Sequence, residues 1–166
     1  MCPLLHRIGL AVGCSGSTTG SRSPDFCLNN VRKALLCAHR ADHALAVHGQ
    51  ALTLCEEIDE RPVAAKIHYD IGEVYQQLAR PTNAIGHYRA AVDTGGSVGD
   101  VLTTTWALVG LGEATAELGE HATAARYAEQ AGAMIGAFSE LGPTDELASR
   151  IDALRSRVAP LIADVK

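Results

Sequence analysis

The stretch IGEVYQQLARPTNAIGHYRAA, residues 71–91, decides the fold of this chain. Ile71, Val74, Tyr75 and Leu78 recur at steps of three and four, the spacing of one helix face. Ala79-Arg80-Pro81 then reads as a turn, and Pro81 suits the first position of a new helix. That second helix carries Ala84, Ile85, Tyr88 and Ala91 on one stripe. Gly72 and Ala84 are small and fall on facing stripes, with Tyr75 and Tyr88 around them. The pattern predicts an antiparallel helical hairpin with a seam of small residues against large ones.

The same pattern returns at a fixed period. Forty residues on, Leu111, Gly112, Leu118, Ala124, Ala128 and Ala131 take the places of Ile71, Gly72, Leu78, Ala84, Tyr88 and Ala91. Forty residues back, Val31, Leu35, Ala38, Ala44, His48 and Ala51 fall on the same frame. Three units of one spacing predict an all-α stack of three helix hairpins, over about 25–61, 62–97 and 98–142. In the first unit His39 is expected in the turn between two helices.

This frame resembles the tetratricopeptide repeat (TPR), over about residues 25–140. The middle unit supplies the family's positions as His68, Ile71, Gly72, Tyr75, Ala84, Tyr88 and Ala91. The third supplies Leu108, Leu111, Gly112, Ala124 and Ala131, but has Thr115 for the tyrosine and Ala128 for the aromatic. The first supplies Leu28, Val31, Ala44 and Ala51, with Arg32 at the glycine. A forty-residue unit is longer than the usual repeat of about 34. Phrases such as LNNVRKALL (28–36) and ALTLCEEIDER (51–61) are similar to the C-terminal TPR arrays of large actinobacterial transcriptional regulators of the SARP and NB-ARC type.

The resemblance implies a TPR-like α-solenoid in which the first helix of each repeat lines a concave groove for a protein, peptide or helix. Mapped residue by residue, that groove takes Phe26, Asn29, Lys33 and Leu36 from the first unit. It takes Lys66, Tyr69, Glu73 and Gln76 from the second, and Trp106, Val109 and Glu113 from the third. Chaperone-binding members hold a terminal carboxylate in a basic clamp. Asn29 and Lys33 fit its first two positions, but Asp70, Trp106 and Gly110 stand at the others, so that ligand class is not expected.

Composition agrees with helices and narrows the partners. Hydrophobic residues make up 47% of the 166 residues but aromatics only 4%, so the apolar set is mostly alanine and leucine, which favour helix over strand. A formal charge of −5 gives no footprint for direct nucleic-acid binding. No apolar run approaches the roughly 20 residues that span a bilayer. Five cysteines without a CxxC fit a reducing, cytoplasmic setting.

Residues 1–24 stand outside the repeat. CSGSTTGSRSP (14–24) is small and polar, which predicts a flexible tail. A lipoprotein signal ending at Cys14 is the weaker alternative, its apolar run IGLAVG being shorter than the usual core of such signals, and GCSGSTTGS lacks the Gly-Lys-Ser/Thr of a phosphate loop. At the other end, Asp145 and Glu146 mark a helix start, within a segment of 143–166. Leu147, Ile151, Leu154, Val158 and Leu161 follow on one stripe. This predicts a helix that caps the last repeat, or a face for a homodimer, with Pro160 kinking or ending it.

Chemistry is sparse. Cys37, His39 and His43 are the tightest metal-like cluster but lack a second pair at recognised spacing. Ser139 and Ser149 have no evident base, and Glu56, Glu57, Asp59 and Glu60 read as a solvated helix end. The expected function is therefore binding by a protein-interaction or regulatory module, without catalysis, cofactor or metal. The alternative is a homo-oligomeric structural repeat protein.

Overall fold

A computed structural model of the chain describes residues 24–138 and 145–163, with side chains over 40–136 and 145–162. Every element in it is a helix. They run α1 Pro24–Glu57, α2 Arg61–Gln77, α3 Pro81–Val98, α4 Val101–Glu117, α5 His121–Phe138 and α6 Asp145–Ala163. Each packs on the next, and α2, α4 and α6 also touch one another in turn on one face.

The turns set this order, and they repeat. Asp59, Ala79, Gly99 and Gly119 all have positive φ, at steps of twenty residues. Directly after each, the next amide donates back five positions: Glu60 to Cys55, Arg80 to Tyr75, Asp100 to Gly95 and Glu120 to Thr115, at 2.9–3.0 Å. This is the left-handed helix stop that satisfies otherwise orphaned carbonyls. Asp100 also caps α4, accepting from the Thr103 amide at 3.0 Å.

The seam expected between Gly72 and its neighbours is present, and its filler is Tyr88. A Cβ placed on Gly72 would come within 2.6 Å of the Tyr88 ring, and one on Gly110 within 2.5 Å. Tyr88 of α3 is thus fully buried between a glycine of α2 and a glycine of α4. Gly112 clears Leu154 of α6 in the same way. Helix α4 is apolar nearly all round because it is central, with eleven buried residues. The hydroxyls of Thr104, Thr105 and Thr115 donate to carbonyls one turn back, at 2.6–2.7 Å, so none is stranded by burial.

Two expectations are corrected. The first unit is not a hairpin: α1 is one helix of 34 residues that passes straight through 39–42. Its frame has neither the proline of the second unit nor the glycine of the third at the turn, so nothing stops the helix there. Nor does Pro160 end α6, which continues to Ala163. The apolar stripe of α6 is used within the chain. Leu147, Ile151, Leu154 and Val158 are buried against the core, which leaves no self-association face there beyond Leu161, 40% exposed. The tail expected over 1–24 lies almost wholly outside the described residues. No described helix is long and apolar enough to cross a membrane.

Candidate functional site

The face shared by α2, α4 and α6 carries the densest polar network of the described residues. Its organiser is a repeat position. Glu73 and Glu113 each follow the seam glycine of their unit, so the forty-residue period stacks two carboxylates on neighbouring helices. Such a pair needs a cation, and Arg150 of α6 supplies it. Its Nε donates to Glu113 Oε1 at 3.1 Å and its Nη2 to Glu113 Oε2 at 2.7 Å, a two-pronged contact. Its Nη1 reaches Glu73 Oε1 at 3.5 Å. Burial works against the guanidinium charge, but the hydrogen bonds and charge of Glu113 outweigh it and push the Arg150 pKa up.

Aromatic groups surround this centre. The Tyr69 hydroxyl donates to Glu73 at 2.6 Å, and the Tyr88 hydroxyl donates to Gln76 at 2.8 Å. Burial, reinforced by the Glu73 charge, raises both phenol pKa values, so both remain protonated donors. Trp106 stands beside Tyr69, with ring centroids 6.4 Å apart, and Arg150 lies 5.3 Å from its ring centre. Next to the network is a cavity of about 260 Å³ lined by Glu73, Gln76, Gln77, Glu113, Glu117 and Arg150. Of its three carboxylates, Glu73 and Glu113 share the guanidinium of Arg150, and Arg157 of α6 also reaches this face, its Nη2 donating to the Glu113 carbonyl at 3.4 Å.

The groove residues read from the sequence divide into three groups. Tyr69, Glu73, Gln76, Trp106 and Glu113 are brought together in this network. Lys66 lies at its edge, paired to Asp70 at 3.1 Å and 5.8 Å from the Tyr69 ring centre. Val109 does not line the face; it is fully buried in the core, because α4 is enclosed on both sides by its neighbours. Phe26, Asn29, Lys33 and Leu36 fall on the first half of α1, outside the described side chains. Sequence reasoning missed Arg150, Gln77 and Glu117. Arg150 was legible in part: it flanks the apolar stripe of α6, and two glutamates at one repeat position demand a counter-ion.

A second polar contact joins α2 to α3. His68 and His87 approach Nδ1 to Nδ1 at 3.3 Å, and His87 stacks on Tyr75. No group of three histidine, cysteine or acidic side chains among the described residues could hold a metal ion. No protein-family model matches this chain, and no curated protein matches it.

Proposed function

We propose that this chain is a protein-interaction module that binds a peptide or a helix along the face of α2, α4 and α6. The observation that carries this reading is the cleft beside Arg150. It is rich in carboxylates and open to solvent, and two of its lining residues touch aromatic groups: Glu73 accepts from Tyr69, and Arg150 lies over Trp106. Aromatic side chains give a ligand large contact area at little ordering cost, and clustered carboxylates select a cation. The ligand is therefore a segment that offers a lysine or arginine to Glu73 and Glu113, two carboxylates that share the guanidinium of Arg150. The TPR resemblance supports the same face, because it assigns the groove to the first helices of the repeats. The looser likeness to actinobacterial regulators makes a regulatory assembly the natural setting.

Selection from a random peptide display library tests this reading. Peptides enriched on the protein are expected to share a basic residue beside an apolar one. Gln77 is exposed at the cleft. Gln77→Lys puts a cation there, so it should weaken the selected peptides at least tenfold without altering the melting curve. Enrichment of acidic peptides, or binding indifferent to Gln77→Lys, would overturn the assignment.

A further inference from the structure

Among the described residues, the long helix α1 leaves one face of the fold without a cover. The forty-residue frame shows what that cover should be. In α3, Ala84, Tyr88 and Ala91 are fully buried, and in α5 so are Ala124, Ala128 and Ala131. The matching residues of α1, Ala44, His48 and Ala51, are only half-buried. The next positions around the helix agree. His87 and Thr94 of α3, and Tyr127 and Met134 of α5, are half-buried, and His87 packs on Tyr75 and His68 of its own preceding helix. Their counterparts in α1, Val47 and Leu54, are 49% and 56% exposed.

What is missing is the preceding helix of the first unit. Its sequence exists, with Val31, Leu35 and Ala38 on the frame of Ile71, Tyr75 and Leu78. The chain cannot lay it there itself, because Pro24–Glu57 is one helix, about 51 Å long. An unbroken helix cannot fold residues 24–40 back onto the face over 44–55 that they match.

We propose that two copies of this chain pair through α1, antiparallel about a two-fold axis near residue 40, so that residues 24–40 of each copy cover Ala44, Val47, His48, Ala51 and Leu54 of the other. The α2–α3 hairpin is the template. There Gly72 faces Tyr88, two positions placed evenly about residue 80. Moved back by one period, that register is symmetric about residue 40, with Arg32 at the place of Gly72 and His48 at that of Tyr88, so a pairing made once within a hairpin is made twice between copies. Exchange of identical elements of this kind is a low-cost route to a closed dimer. The occupant is specified by sequence register, since only the first unit lacks its own partner helix. The contact lies at the opposite end of the helix order from Arg150.

Light scattering of the full chain across a concentration series tests the pairing. The expected mass at high concentration is twice the 17.4 kDa of one chain. Val47→Asp, at an exposed position, should raise the dissociation constant at least tenfold while keeping the helical circular dichroism. His39→Gly combined with Ala41→Pro restores the turn chemistry of the other units, so it should close the hairpin within one chain and give a folded monomer. A wild-type chain that is monomeric at every concentration would overturn the proposal. So would a dimer whose dissociation constant neither substitution moves.

Discussion

At the scale of single residues, two kinds of contact hold this molecule. One is steric. Tyr88 fills the gap between Gly72 and Gly110, and either Cβ would lie closer to its ring than atoms tolerate. Gly72→Ala and Gly110→Ala should each cost about 1–3 kcal/mol through overpacking. Urea unfolding measures this, and an unchanged midpoint would show that the helices are not held so close. The other contact is electrostatic. Arg150→Ala removes the two-pronged pairing of Glu113, with both side chains mostly buried. The loss should be about 1.5–3 kcal/mol, as for hydrogen bonds to charged groups. Because Trp106 is the only tryptophan and Arg150 lies over its ring, its emission should shift in the same variant. The histidine pair adds a pH dependence. Desolvation lowers the pKa of His68 and of His87 below the ordinary 6.5, opposed at His68 by Glu56 and reinforced at His87 by His68. The unfolded chain therefore takes up protons first as pH falls. Stability is full above about pH 6.5 and declines below it, until the folded-state values are passed. His87→Phe should flatten the melting midpoint between pH 7.5 and 5.5, and an unaltered slope would contradict this account.

At the scale of elements, the turns are the shared part. A left-handed residue every twenty positions makes four helices of nearly equal length, and only two of the four are glycine. Ala79, at φ 55°, carries a Cβ in a region that disfavours it by roughly 1–2 kcal/mol. Glycine there removes that strain but loses more backbone entropy on folding. Ala79→Gly should therefore stabilise the fold by about 0.5–1 kcal/mol, read from thermal melts, and a loss of stability would show that the turn is not strained. These elements were largely legible from the sequence. The hairpin of 71–91 and the third unit followed from helical spacing and the forty-residue period. The first unit did not, because periodicity places residues on faces but does not stop a helix. That takes a glycine, a proline or a residue held at positive φ, and Ala38-His39-Arg40-Ala41 has no stop residue of its own. Of the two outcomes expected at Pro160, a kink or an end, the end does not occur: a helix held by buried Leu154 and Val158 tolerates a proline near its end.

At the scale of the whole molecule, the repeat accounts for the site as well as the fold. A period of forty puts Glu73 beside Glu113, and the last helix answers them with Arg150. Tyr69, Trp106, Glu73 and Glu113 were readable from the mapped positions. Val109 was misplaced because mapping along a helix says which residues share a stripe, not how far its neighbours wrap around it. Arg150 was missed because it belongs to the element outside the repeat. The functional claim rests on this face, and Trp106 reports on it. The most direct measurement is the fluorescence of Trp106 during titration with a short alanine-based peptide bearing lysine and arginine, against a matched peptide bearing glutamate. The account predicts a saturable change with the cationic peptide alone, weakened by salt as screening requires, and at least tenfold weaker with Gln77→Lys. A flat titration, or an equal response to the glutamate peptide, would contradict it.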